Sequence, residues 1–350
     1  MFPLEAFHRR PTSAASLILE FMSSQQPSAS VSVILCTYNG AAYLQQQLDS
    51  IAAQSMLPLE LIACDDGSSD ATVDILESFQ RLAPFPVEIV RNPANLGSTA
   101  NFDQAIRRAS GEFLALSDQD DVWLPEKLAT LVPVLENDPG LGGVFSDAKL
   151  LDDRATSAAQ TRTETLWSIH GFNSRKQRQF ASRGGAIRLL LQSDVLTGAT
   201  LLVRSSLRPL WQPIPRSWVH DGWLAWMLAV HTRLKPVPEP LMLYRLHREQ
   251  QLGIGSSRTL KERTRAIQET ERARYNRVAG QFKDLLEHVQ ATANDRALEN
   301  QLLGKIKLLR QRAELPRHTI SRVLSILGST GDYRRFARGW RSMRKDLFLA

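Results

Sequence analysis

Two short apolar runs, each ending in a cluster of carboxylates, constrain this chain more than any other feature. The first reads Leu61-Ile62-Ala63-Cys64 and runs into Asp65-Asp66-Gly67-Ser68-Ser69-Asp70. The second reads Phe113-Leu114-Ala115-Leu116 and runs into Ser117-Asp118-Gln119-Asp120-Asp121. Apolar stretches of this length, bounded by turn residues, read as strands buried on both faces of a parallel sheet. Open α/β sheets bind ligands outside the carboxyl ends of such strands, so both clusters fall at a ligand edge. Asp118, Asp120 and Asp121 crowd one short segment and repel one another, a pattern that a shared cation relieves. Hard oxygen ligands select Mg²⁺ or Mn²⁺, and those ions commonly carry phosphate groups.

The surrounding pattern agrees with a layered sheet. Strand-like residues 31–36 precede a helical pattern over 41–53, with Leu44, Leu48 and Ile51 on one face. The alternation continues with strand 59–64, helix 71–82 with Asp70 at its start, strand 87–90, helix 98–108 and strand 113–116. Pro125 then opens another helix. This predicts a doubly wound, mostly parallel α/β fold. Residues 152–185 are polar and glycine-containing and are expected to be loop-rich, with regular structure resuming over 186–192, 200–203, 218–230 and 236–245.

Both ends differ from this core. Residues 1–30, bearing Ser, Pro and Gln, read as a flexible N-terminal arm. Past residue 255 the chain turns basic and helix-favouring, with Tyr275, Val278, Phe282, Leu285 and Val289 at alternating three- and four-residue spacing. The expected division is an arm over 1–30, an α/β domain over 31–255 and a helical region over 256–350. The net charge of +7 belongs to that last region. From Arg258 onward about 21 Lys and Arg face about 10 Asp and Glu, leaving the rest of the chain near −4. Cys36 and Cys64 fall inside neighbouring predicted strands and read as small buried hydrophobes, so no disulfide framework is expected and a reducing cytoplasm is the compartment implied. Glu20 interrupts the apolar patch Leu17-Ile18-Leu19 and Phe21-Met22. No run reaches the roughly 20 residues that span a bilayer, so neither a signal peptide nor a membrane helix is expected.

Polar residues follow each of the first four strands: Thr37-Tyr38-Asn39-Gly40, Asp65-Asp66-Gly67, Asn95-Leu96-Gly97 and Ser117-Asp118-Gln119-Asp120-Asp121. Singly, each reads as well as a turn or a helix cap. Small polar side chains and glycines let backbone donors approach a ligand, and four such edges in succession point to one site.

In order and wording these segments, with Val122-Trp123 after them, resemble glycosyltransferase family 2 over residues 31–130. The resemblance implies a GT-A-type fold with an inverting catalytic domain over 31–255, a nucleotide-diphosphate-sugar donor and a divalent Mg²⁺ or Mn²⁺. It places Thr37, Tyr38, Asn39, Asp65, Asp66, Asn95, Gly97 and Asp118 at the donor nucleotide. Asp118-Gln119-Asp120 matches the family's D-x-D motif, making Asp120 the expected metal ligand with Asp118 and Asp121 in support. His220-Asp221-Gly222-Trp223 resembles the His-Asp-Trp-Trp element of rhamnosyltransferase-like members, which implies Asp221 as catalytic base. Gly222 departs from the first tryptophan of that element. Thr197-Gly198-Ala199-Thr200 resembles a glycine-bearing segment beside the acceptor, and Tyr244-Arg245-Leu246-His247 a Tyr-Arg-x-His element. His247 is then expected at the metal or diphosphate and Arg245 at phosphate, while Trp123, His220 and Trp223 support the acceptor side. Arg248-Glu249-Gln250-Gln251 follows where the family usually has asparagine.

The preferred donor is dTDP-L-rhamnose and the expected acceptor a saccharide or lipid-linked saccharide in surface polysaccharide synthesis. A UDP-hexose donor, a nucleotidyltransferase and a non-catalytic sugar-nucleotide-binding module remain open alternatives. The basic tail reads either as a packed helical appendage or as a peripheral contact with the anionic inner face of a membrane, Tyr333 through Arg341 interleaving aromatics with cations. No nucleic-acid partner is expected, because no nucleic-acid motif accompanies the charge.

Overall fold

A computed structural model describes residues 30–153, 160–182, 184–247, 260–316 and 318–348. The N-terminal arm and residues 248–259, Arg248 to Gln251 among them, lie outside the described residues.

The apolar runs form β1 (Val31–Thr37), β2 (Glu60–Asp65), β3 (Val87–Arg91) and β4 (Phe113–Asp118), which pair in parallel in the order β3-β2-β1-β4. Between them lie α1 (Leu44–Ala52), α2 (Thr72–Gln80) and α3 (Ser98–Arg108). Side chains alternate across the pleat, so β1 feeds two cores at once. Val31, Val33 and Leu35 join a cluster with Leu44 and Leu48 of α1 and Leu76 of α2, whereas Ile34 joins a second cluster with Phe102 and Ile106 of α3. Registers align Thr37 with Asp65 and Cys36 with Asp118. Three polar strand ends therefore share one edge.

The sheet continues past β4 through β5 (Val122–Trp123), β6 (Leu141–Asp152), β7 (Gln160–Thr165), β8 (Leu201–Arg204) and β9 (Arg233–Leu246), giving nine strands among the described residues. β8 inserts antiparallel between β4 and β6, and β9 runs parallel to β6. β5 pairs antiparallel with β9, which carries the segment after the acidic cluster beside Met242 and Leu243. The long helix α4 (Lys127–Glu136) packs against β6.

The described residues between 152 and 185 are more regular than expected. β7 pairs with β6, and α5 (Leu166–His170) and α6 (Ser174–Ala181) follow. Thr165 starts α5 with a reciprocal capping box to Ser168. Widely spaced aromatics supply the cause: Trp167 and Phe180 pack edge-on to Phe145, and Phe172 packs edge-on to both of them. Such a cluster stabilises helices that local composition alone would not hold.

After α7 (Gly185–Leu190), α8 (Arg208–Trp211) and α9 (His220–His231), the chain ends in α10 (Leu260–Thr292), α11 (Arg296–Ala313), α12 (Thr319–Gly328), α13 (Thr330–Phe336) and α14 (Trp340–Leu347). These helices share one continuous hydrophobic cluster with α3 and α9. Phe282 meets Trp218 and Trp226, and His288 meets Trp223 edge-on. Among the described residues no helix is long and apolar enough to cross a membrane.

Candidate active site

The β1 end is locked to the β4 end by Gln119, the middle residue of the acidic motif. Tyr38 N donates to Gln119 Oε1 at 2.8 Å and Gln119 Nε2 donates to the Tyr38 carbonyl at 3.1 Å. A Cβ on Gly40 would overlap the Gln119 amide, so glycine there is what permits the approach. Asn39, in the left-handed region at φ 48°, ties this loop to the next through Ser69 N to its Oδ1 and its own N–H to Ser68 Oγ.

Asp65 and Asp66 are buried and spend their oxygens on the loops themselves. Asp65 accepts from Thr37 Oγ1 (2.9 Å), Ser68 N and Ser68 Oγ. Asp66 accepts from Asn92 Nδ2, Leu96 N and Gly97 N, which fixes the Asn95-Leu96-Gly97 turn. Asn95 Oδ1 takes a second bond from Gly97 N, and Gly97 holds φ 86°. These carboxylates shape the donor edge and leave backbone and side-chain groups of Tyr38 and Asn95 at its rim.

The second cluster is electrostatically different. Burial, then the neighbouring Asp120 and Asp221, push Asp118 up to about 7 against the pull of Lys127. Asp121 is driven well above the usual carboxylate range by burial and by Asp120 and Asp118. Its Oδ1 accepts from Arg245 N at 3.0 Å, while its buried Oδ2 has no partner among the described residues. Asp120 reaches His247, Oδ2 to Nε2 at 2.8 Å, and His247 Nδ1 has no partner among the described residues. Arg245 is held from several sides: its Nε donates to the Asp120 carbonyl, Nη2 to Gln46 Oε1, and its guanidinium lies over Tyr43. Tyr43 also packs on the His247 ring, with centroids 4.7 Å apart. β9 therefore brings Arg245 and His247 to residues more than a hundred positions earlier.

A carboxylate, an imidazole and two further crowded carboxylates are donors that suit Mg²⁺ or Mn²⁺. Among the described residues no three such side chains are arranged to hold an ion unaided. That agrees with a cation taking one or two protein ligands and completing its shell with phosphates and water. Asp120 and His247 are the residues that would hold it.

Asp221 lies in the first turn of α9, and its Oδ2 accepts from Gly198 N at 3.1 Å while Oδ1 accepts from Gly222 N. A Cβ on Gly198 would stand 3.0 Å from His220 Nε2 and 3.1 Å from Asp221 Cβ, so the Gly198 turn can seat only a glycine without displacing them. His220 is buried and stacked on Phe102 at 3.7 Å, and burial lowers its basicity. Trp123 and Trp223 are core residues: Trp123 N donates to Ser50 Oγ, and Trp223 Nε1 to the Trp211 carbonyl. They support the site from beneath.

Sequence reasoning passed over Lys127. It is buried, lies 3.8 Å over the Trp123 ring and donates to the Ala199 carbonyl at 2.6 Å. Burial drives it down to about 7, and Asp121 and Asp118 oppose that shift. It links the acidic loop to the turn that holds Asp221. The legible signal was a lysine on the apolar face of α4, in line with Leu131 and Leu135. Gln47 was missed as well; its amide accepts from Trp123 Nε1 and donates to the Asp121 carbonyl.

Known proteins resemble this chain in sequence and in fold. Residues 32–190 match the family model for glycosyl transferase family 2. A glycosyltransferase of Nostoc sp. is 29% identical over 224 residues, 62% of this chain and 65% of that relative's length, so the chain spans just under two thirds of it. The dTDP-rhamnosyl transferase RfbG of Shigella flexneri is 24% identical over 232 residues, 64% of this chain and 75% of the relative. Among solved structures, S. aureus TarS 1-349 superposes with a TM-score of 0.56 at 16% identity, covering 88% of this chain and 81% of that one. Mannosyltransferase PcManGT from Pyrobaculum calidifontis, in complex with GDP-Man and Mn2+, gives 0.52 at 16% identity, covering 95% and 92%. Likeness at that identity concerns the fold. With the parallel sheet and its acidic edge, these matches give the chain a fold of the GT-A type, whose residues 32–190 match glycosyl transferase family 2.

Proposed function

We propose that this glycosyltransferase domain moves a sugar, with inversion, from a nucleotide-diphosphate donor to a hydroxyl of a saccharide or lipid-linked saccharide. The observation that carries the reading is one edge of the sheet holding Asp118, the Asp120–His247 pair and, electrostatically coupled to Asp118, Asp221. The donor's base and ribose would lie along Thr37-Tyr38-Asn39 and Asn95-Gly97, where Tyr38 and Asn95 are exposed at the rim. Asp120 and His247 would hold a divalent cation, which when bound offsets the charge of the departing nucleoside diphosphate. Arg245, expected at phosphate, is buried and donates to the Asp120 carbonyl and Gln46, so its role would be to position the acidic loop. Asp221 would accept the proton of the acceptor hydroxyl, its carboxylate oriented by Gly198 N and Gly222 N. The absence of a side chain on Gly198 leaves the space that His220 and Asp221 occupy.

For the donor we favour dTDP-L-rhamnose, supported by His220-Asp221 followed by Trp223 and by the named activity of the Shigella flexneri relative. A UDP-hexose is the alternative. Melting of the full chain with dTDP, UDP and GDP, each with Mn²⁺ or EDTA, tests the reading. We expect dTDP with Mn²⁺ to raise Tm most and Asp120→Ala to abolish the cation-dependent part. A larger shift with UDP would replace the donor, and a nucleotide shift unchanged in Asp120→Ala would remove the cation from the site.

A further inference from the structure

We infer that the outward faces of α12 and α14 form a docking surface for an anionic lipid membrane. α12 exposes Ile320 (65%), Leu324 (64%) and Leu327 (57%). Their i, i+4, i+7 spacing makes one apolar stripe along the helix. The opposite side is anchored by the buried Arg322 and Ile326. On α14 the outward side chains are Trp340 (68%), Arg341, Arg344, Lys345 and, just past its end, Phe348 (77%). Arg322 Nη1 donates to the Leu347 carbonyl at 3.3 Å, so the two helices lie side by side, with Phe348 exposed just past the end of α14.

Charge identifies the occupant. The one acid on these two helices, Asp346, is fully buried against Arg312, Tyr275 and Tyr333. Lys345 reaches Glu271, which leaves Arg341 and Arg344 as the outward cations of α14. Across the groove between α11 and α12, Leu303, Lys307 and Arg310 repeat the same mixture, with Glu314 the acidic member of that lining. Apolar side chains on a helix that lies flat, edged by cations, are what an anionic leaflet takes up. A second copy of the chain is a poorer occupant, because a two-fold contact would set these cations against their own copies. Tyr333 and Phe336, which the sequence offers as interfacial aromatics, are turned inward and help fix the helices instead.

This surface does not depend on the donor or on the transfer reaction. Its test is sedimentation of the full chain with vesicles of phosphatidylcholine alone or mixed equally with phosphatidylglycerol. We expect binding to the mixed vesicles that weakens with added salt, and little to phosphatidylcholine. Leu324→Glu with Leu327→Glu should lose binding at unchanged Tm, both residues being exposed. Arg341→Glu with Arg344→Glu should weaken it roughly fivefold or more for each charge reversed. No binding to the mixed vesicles at low salt would overturn the inference, as would a wild-type dimer that the leucine substitutions convert to monomer. Equal binding to both vesicle types would overturn its electrostatic half.

Discussion

Buried charge dominates the site residue by residue. At the end of β4, burial and the neighbouring carboxylates raise the proton affinity of Asp118 and Asp121, and Lys127 opposes the shift. Such crowding persists where a ligand's own charge completes the set. Asp221 stands apart, because it combines a partly open carboxylate with two backbone donors that hold its orientation. Asp221→Asn preserves size and removes basicity. We expect kcat to fall by roughly 10² to 10⁴, while donor affinity read by nucleotide-induced melting stays within a factor of about two of the wild type. Loss of nucleotide binding instead would make Asp221 a donor ligand.

Loops between elements set where those residues meet. Gln119 clamps Tyr38, Asp66 clamps the Asn95–Gly97 turn, and Arg245 gathers the β4 end, α1 and β9. Gly40 matters through one neighbour. Gly40→Ala should force the Gln119 amide out of its pair and cost about 0.5–1.5 kcal/mol, because water can take over the exposed Tyr38 backbone groups. Combined with Gln119→Ala, the same change should cost clearly less than the sum of the two single variants. A double-mutant cycle from denaturant melts reads that coupling, and strict additivity would show that the clamp does not act through Gly40.

The C-terminal helices act at the scale of the whole molecule. They cover Trp218, Trp223 and Trp226, so removing them would bare a large part of the second core. Lys305 of α11 is buried where they meet α7, donating to the Leu191 and Phe336 carbonyls at 2.7 Å each. Burial drives Lys305 down to about 7. Between that value and the unfolded lysine value near 10.4, the unfolded chain binds the extra proton, so this residue makes stability rise with pH. Its contribution should grow by up to about 2 kcal/mol from pH 7 to 9. Lys305→Met should flatten that part of the stability profile in urea melts at fixed salt. An unchanged slope would mean that Lys305 stays charged in the fold.

The sequence by itself determined the parallel half of the sheet and the edge that carries the site. Continuous apolar runs ending in turn residues bury both faces in such a sheet, and their carboxyl ends then align whatever the rest does. That reasoning found Thr37, Asp65, Asp66, Asn95, Gly97 and the Asp118–Asp121 cluster as neighbours before any fold was drawn. It could not say that Asp65 and Asp66 hold loops while Asp120 meets an imidazole, since the difference lies in which donors arrive from elsewhere. Lys127, Gln47 and Arg245 act through partners 70 to more than 120 positions away. The order of the later strands and the helices drawn together by Trp167, Phe172 and Phe180 depend likewise on side chains far apart in sequence. Tertiary packing alone turned Tyr333 and Phe336 inward and Ile320, Leu324 and Leu327 outward. A helix with apolar residues on two faces has no local reason to prefer either; the buried Arg312–Asp346 pair and its two tyrosines chose the one that faces the core.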